Sequence, residues 1–290
     1  ASDVYKRQAY QKKVAIAPFD GIFSAHGMVL RPREDVIDKS FFPLFISSDY
    51  FLDAAIKISV GSLSPTINWR DLKTLEFELP DLATQRKLAE TLWSINDTME
   101  TYKKLIAATD ELVKSQFMEL FGDTVTNTQG REVRPFKDFM LDIRYGTSQP
   151  PTFNELGEFK FIRATNIKAG RITENGMLRI SADEAAKIEK CRLNGNEIII
   201  VRSGANTGDT CVVTDEYRDQ YAGYDIIVTL NLEIANPVFF NELMNTHYMQ
   251  AIIKPLTVRA AQPHINSEQV QNLPMLVVPL QEQEQFATFV

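Results

Sequence analysis

The run Leu79-Pro80-Asp81-Leu82-Ala83-Thr84-Gln85-Arg86-Lys87-Leu88, and the stretch it opens as far as Phe121-Gly122, decides how this chain is organised. From Leu88 onward, Leu88, Leu92, Ile95, Met99, Tyr102, Ile106, Thr109, Val113, Gln116 and Leu120 alternate steps of four and three. That is a 3.5-residue period, the seam of a coiled coil, and only Thr109 and Gln116 interrupt its apolar character. Pro80-Asp81 supplies a start signal and Gly122 a stop. About 41 residues rising ~1.5 Å each make a rod of roughly 60 Å. A single helix cannot bury such a seam alone, so the pattern predicts a helical partner.

Outward from the rod, the chain repeats itself. A shift of 198 residues places Phe41 and Phe42 on Phe239 and Phe240, Tyr50 on Tyr248 and Val60 on Val258. The same shift aligns Pro65-x-Ile67-Asn68 with Pro263-x-Ile265-Asn266, then Leu75, Leu82, Gln85 and Ala89 with Leu273, Leu280, Gln283 and Ala287. Eleven identities fall in about 49 positions, and three of them lie in one four-residue block. The period is far longer than the 20–50 residues of solenoids, so a domain-sized unit is duplicated. The second copy of the rod has barely begun at Gln283–Val290 and is the partner the seam predicts. Residues 158–172, 197–202, 211–214 and 225–232 read as short strands between Gly/Asn turns, and 41–57 and 238–253 as amphipathic helices. The predicted class is therefore α+β, mixed domains joined by a long coiled-coil-forming helix.

Composition narrows the function. At 290 residues, 44% apolar and 24% charged, the chain can build real cores and is neither disordered nor a disulfide scaffold. Lys+Arg number 31 against Asp+Glu 38, a formal charge of −7, so the overall basicity common in stand-alone nucleic-acid binders is missing. Cys191 and Cys211 form no CxxC pair, and His26, His247 and His264 are scattered, so no metal-site spacing is present. Absence of a long apolar run or signal pattern gives a cytoplasmic expectation with no membrane partner. The string Asp3-Val4-Tyr5-Lys6-Arg7-Gln8 resembles the translation of a transposase mosaic-end adaptor, so residues 1–8 are set aside as an adaptor-like or disordered start.

Catalytic chemistry finds no support. Gly204-Ala-Asn-Thr-Gly208 has three residues between its glycines and no following Lys-Ser/Thr, so it is no phosphate loop. Glu158-Phe-Lys160 with Asp142 upstream reads as alternating charge on a solvated strand, not a nuclease triad. What remains is a set of glycine-marked loops carrying donors. Tyr145, Thr147, Ser148 and Gln149 form one, and Arg163, Asn166 and Lys168 surround a strand end. Arg202, Ser203, Asn206 and Thr207 form another, and Arg259 with Gln262 a fourth. Arg, Lys, Asn and Gln read base edges through paired hydrogen bonds, while Ser, Thr and Tyr serve phosphates. Arg163, Asn166, Arg202, Asn206 and Gln262 are the foremost candidates.

Taken together, these motifs resemble the specificity (S) subunit of type I restriction–modification systems. Leu79-Pro80-Asp81-Leu82 with Gln85, the heptad helix and Phe121-Gly122 resemble the family's central conserved region, and Val278-Pro279-Leu280-Gln281-Glu282-Gln283 its second copy. Phe161–Ile167 with Gly170, Gly195–Ile199 with Arg202-Ser203-Gly204 and Gly208, and Pro263-His264-Ile265-Asn266 are similar to its target-recognition motifs. The resemblance covers residues 14–290. It implies two recognition domains, each reading half of a bipartite double-stranded DNA site, with the helical spacer setting their separation.

It also implies docking of methyltransferase (M) subunits with S-adenosylmethionine, and of an endonuclease/translocase (R) subunit with ATP and magnesium; this chain itself is expected to be non-catalytic and to bind no cofactor. On this pattern, residues 9–80 are the C-terminal part of a first recognition domain and 81–122 the spacer helix. Residues 123–272 are the second recognition domain and 273–290 the start of the second conserved region, giving a chain truncated at both ends. Two alternatives stay open: the recognition part of a fused restriction–methylation enzyme, and a coiled-coil interaction protein without a DNA role.

Overall fold

A computed structural model describes residues 3–6 (backbone only), 12–17, 19, 21, 22, 24, 27–60, 66–123, 125–127, 129–257 and 263–290. The class is α+β, as the sequence predicts. Two compact units divide at Ile106/Ala107, within the long helix.

In the first unit, β1 (Asp3–Lys6) lies between β2 (Val14–Ile16) and β3 (Gly27–Leu30), antiparallel to both. The sequence reading set residues 1–8 aside; residues 3–6 instead form the middle strand, because their backbone joins both neighbouring strand ladders. Helices α1 (Phe42–Ser47), α2 (Asp49–Lys57) and α3 (Trp69–Leu72) follow. They bury Phe42, Ile46, Phe51, Leu52, Ile67 and Leu72 in one cluster. The helix expected over 41–57 is broken at Ser48. That residue takes extended angles, ends α1 and accepts from Phe51 N to cap α2.

Helix α4 runs from Leu82 to Phe121, close to the predicted bounds. Asp81 accepts from Thr84 N (3.0 Å), Thr84 Oγ1 (2.8 Å) and Ala83 N (3.0 Å), and these bonds hold its carboxyl below the usual carboxylate range. At the far end Gly122 takes φ +70°, a conformation that terminates helices and suits glycine.

The second unit is built on a four-stranded antiparallel sheet. Its order is β11 (Thr210–Val212), β10 (Glu197–Ile200), β13 (Ile226–Leu230), β5 (Met140–Tyr145). Alternate residues of the central strands face opposite layers. Ile198, Ile200, Ile226, Val228 and Leu230 meet a helical layer, while Ile199, Val201 and Ile227 meet a second cluster with Ile162, Leu193 and Tyr217. Burial on both faces explains the continuous apolar run Ile198–Val201.

The helical layer holds α6 (Pro237–Asn245), α7 (His247–Thr257), α8 (Ser267–Gln271) and α9 (Leu280–Phe289), with the end of α4. Thr246 breaks the helix expected over 238–253, as Ser48 does in the first unit. Over the other face lie β6 (Phe159–Ile162), β9 (Leu178–Ile180), β12 (Tyr221–Ala222), the β7–β8 hairpin (Ile167–Lys168, Arg171–Ile172) and α5 (Ala182–Lys187). Strands β4 (Val133–Pro135) and β14 (Pro274–Leu276) pair separately.

The repeat is reproduced atom by atom. Gln85 Nε2 donates to Val36 O (3.3 Å) and Pro80 O (2.7 Å), and its Oε1 accepts from Asp38 N (2.8 Å). Gln283 Nε2 donates to Ile234 O (3.0 Å) and Val278 O (2.7 Å), and its Oε1 accepts from Asn236 N (2.7 Å). Every partner is displaced by the same 198 residues. The likeness extends upstream of the identities found in sequence: β2-β1-β3 repeats the pairing of β11-β10-β13, each middle strand antiparallel to both neighbours.

The beginning of α9 packs on the end of α4 within the second unit. Phe286 sits 5.3 Å from Phe117 and 5.6 Å from Phe121, ring centre to ring centre, and is 2% exposed. Leu88, its counterpart under the shift, is 41% exposed. Leu92, Ile95, Met99, Tyr102, Ile106 and Leu120 are also exposed, whereas Val113 is buried in the second unit's core.

Candidate nucleic-acid interface

Two glycines create the most organised loop cluster. Strands β5 and β10 both end opposite Ile226 of β13, so the loops after Tyr145, after Ile200 and before Ile226 meet at one end of the sheet. There the segments Tyr145-Gly146 and Gly223-Tyr224 pass so closely that a Cβ on Gly146 would lie 1.5 Å from Gly223 O. Only glycine fits at 146. The close approach leaves the two tyrosines flanking Arg202, whose guanidinium carbon is 4.4 Å from the centre of each ring. This is a double cation–π clamp.

The clamp stands on Asp225. Its Oδ1 accepts from Arg202 N at 3.0 Å, while Asp225 O accepts from Gly146 N at 2.9 Å. Burial pushes the Asp225 carboxyl up to about 6, against the opposing pull of the Arg202 amide and charge. The motif Pro263–Asn266 lies along the same loop: Ile265 N donates to Arg202 O at 3.0 Å and Ser203 Oγ is 3.3 Å from His264 Nδ1. Ser267 N donates to Tyr145 Oη at 2.9 Å, fixing that ring.

Tyr145, Thr147, Ser148, Gln149 and Arg202 line one groove of about 640 Å³, together with Lys187 and Lys190. The sequence reading missed both lysines and Tyr224, which lie on segments with no base-reading pattern. The mirrored spelling Tyr145-Gly146 and Gly223-Tyr224 was the signal available for the second tyrosine. Among the described residues, Glu184, paired with Lys187, is the one carboxylate on the groove wall, against the three cations Arg202, Lys187 and Lys190. The groove is locally basic within a chain of formal charge −7.

The other candidates divide. Arg163 lies next to the clamp, its Cγ 3.6 Å from the position a Cβ on Gly223 would take; its Nη2 donates to Gly176 O. Asn206 Nδ2 reaches Ala164 O at 3.5 Å, and Ser203 is half-buried beside His264. Asn166 is wholly buried, its Oδ1 accepting from Arg163 N and its Nδ2 donating to Thr173 O and Asn175 O. It shapes the loop and presents no edge to solvent. Thr207 likewise donates to Gly204 O and is buried.

Lys168 is exposed on the β7–β8 hairpin, where Arg171 pairs with Asp110 of α4 at 3.5 Å. Arg259 and Gln262 lie outside the described residues. Lys160 pairs with Glu174 and Glu216, and Glu158 accepts from Ala182 N, so these two residues serve structure. Among the described residues no cluster of three or more His, Cys, Asp or Glu could hold a metal ion. None of the described helices is long and apolar enough to cross a membrane.

Comparison with known proteins gives a consistent answer. The family model described as "Type I restriction modification DNA specificity domain" matches residues 4–109 and 132–290. The EcoKI type I restriction enzyme specificity subunit of Escherichia coli (strain K12) is 21% identical over 286 residues, covering 92% of this chain and 60% of that protein's length. The crystal structure of the type I restriction–modification S subunit from M. genitalium superposes with a TM-score of 0.64 at 16% identity, covering 99% of this chain and 74% of the other. A structure from work on complex assembly and conformational transition of the type I R-M system gives 0.51 at 19% identity, covering 99% and 73%. With its two duplicated units and its basic loop groove, the chain belongs to the type I restriction–modification DNA specificity family.

Proposed function

We propose that the second unit reads one half of a bipartite double-stranded DNA target on behalf of a type I restriction–modification complex. The observation carrying this reading is the groove at the end of the β5–β13–β10 sheet, where three cations face one carboxylate among amide and hydroxyl donors. Such a groove binds phosphates through charge and base edges through fixed donors. Within this reading, residues 9–80 belong to a first recognition domain, 81–122 are a spacer and 123–272 form the second recognition domain. Residues 273–290 are the start of the second conserved region, within which α9 begins a second spacer helix. The exposed positions Leu92, Ile95, Met99, Tyr102 and Ile106 are the face that a second helix and methyltransferase subunits cover. Catalysis, with S-adenosylmethionine, ATP and magnesium, belongs to the methyltransferase and endonuclease subunits; this chain contributes recognition alone.

Fluorescence anisotropy of the chain with a pool of random-sequence duplexes, repeated across a salt series, tests the reading. Binding whose logarithm falls linearly with the logarithm of salt, by about 0.9 per phosphate neutralised, is the expected result. A second reading, an interaction protein acting only through α4, is favoured by the exposed seam. It predicts no salt-dependent duplex binding at all.

A further inference from the structure

We infer that Arg202 is the groove's bidentate DNA contact, a guanidinium held in a fixed plane whose fork takes a coplanar pair of acceptors. The assignment rests on the DNA-recognition reading above and specifies the residue through which it acts. Arg144 and Arg179 engage their forks internally, and Arg163, whose Nε is also buried without a partner, donates from Nη2 to Gly176 O. Arg144 grips both carboxylate oxygens of buried Glu197 at 2.7 and 2.9 Å, and Arg179 donates to Gly157 O and Glu158 O. Arg202 differs. None of its guanidinium nitrogens donates to a described residue, and its Nε is buried without a partner. Yet the group is held between two rings at 4.4 Å each, in the wall of a groove already supplied with lysine charge.

A mobile ammonium suffices for charge alone. Fixing the plane of a guanidinium matters where two acceptors must be met at once. Duplex DNA offers that geometry in two places: the O6/N7 edge of guanine in the major groove, and two oxygens of one phosphate. Both are the same recognition chemistry for this side chain.

The test uses the whole chain and random-sequence duplexes, with binding and the selected consensus read together across a salt series. Arg202→Ala and Arg202→Lys should each weaken binding to the selected duplex about ten- to a hundredfold, because Lys keeps the charge but lacks the fork. Tyr224→Leu removes one wall of the clamp at a partly exposed position and should cost about three- to tenfold. Unchanged urea midpoints in all three variants separate lost contact from lost fold.

If Arg202→Ala erases a guanine from the consensus at unchanged salt slope, the acceptor pair is a base edge. If it lowers the slope by about one and leaves the consensus intact, the pair is a phosphate. An Arg202→Lys chain that binds and selects like wild type overturns the assignment while the recognition reading stands. A wild-type chain that binds no duplex overturns both.

Discussion

Gln283→Leu is the sharpest test of how the duplicated unit is held together. The native amide makes three hydrogen bonds: to Ile234 O, to Val278 O and from Asn236 N. Leucine keeps most of the volume and removes all three. The Val278 carbonyl bond is buried, so its loss carries a full desolvation penalty of about 1–3 kcal/mol, whereas the two partly buried bonds cost about 0.5–1.5 kcal/mol each. The total is roughly 2–6 kcal/mol, large against the marginal stability of a domain.

Gln85→Leu in the first unit removes the counterpart bonds, all partly buried, and should cost about 1.5–4.5 kcal/mol. Urea denaturation gives the magnitudes, and native-state hydrogen exchange gives the location. Gln283→Leu should deprotect the Asn236 amide and spare Asp38, while Gln85→Leu does the reverse. A loss below about 0.5 kcal/mol in both variants, or equal deprotection in both units, would refute the reasoning.

Three further outcomes follow from particular residues. Asp225 is buried with its carboxyl raised from 3.8 to about 6, so the folded state holds that proton more tightly than the unfolded chain. Stability from this group is present below about pH 4 and falls as pH rises to about 6; Asp225→Asn should therefore be more stable than wild type by about 1–3 kcal/mol near pH 8, with the gap closing by about pH 4. A gap that widens in acid would contradict the placement. Gly146→Ala forces a methyl against the Gly223 carbonyl and should destabilise the chain by about 3 kcal/mol or more, read in the urea midpoint. The exposed seam of α4 predicts concentration-dependent association of the isolated chain in sedimentation, relieved by Leu92→Lys with Met99→Lys. A monomer at every concentration would count against it.

Much of the architecture was legible in sequence because it is periodic or repeated. The heptad from Leu88 to Leu120 and the flanking Pro80-Asp81 and Gly122 set helix α4 to within a residue or two. The repeated Gln85 and Gln283 each mark a buried amide that ties the start of its helix to a segment 47–49 residues upstream. The breaks at Ser48 and Thr246 were harder to see: a single capping residue interrupts an otherwise continuous apolar face. The likeness between β1 and β10 was hidden because short strands preserve backbone pairing, not residue identity.

At the loops, residue type alone misled for Asn166 and Thr207. A donor that reads a base and a donor that closes a turn are the same chemical group, and only burial tells them apart. Lys187 and Lys190 join the groove, and Tyr224 the Arg202 clamp, through tertiary approach, which no local pattern encodes.

The central claim, that the second unit reads one half of a bipartite target, is tested most directly by moving residues 123–272 into a characterised type I specificity subunit and sequencing the methylated sites made by the assembled complex. One half-site should change to a new sequence, while the other half-site and the host subunit's spacing persist. A methylation pattern identical to the host's, or one altered in both halves, would contradict it.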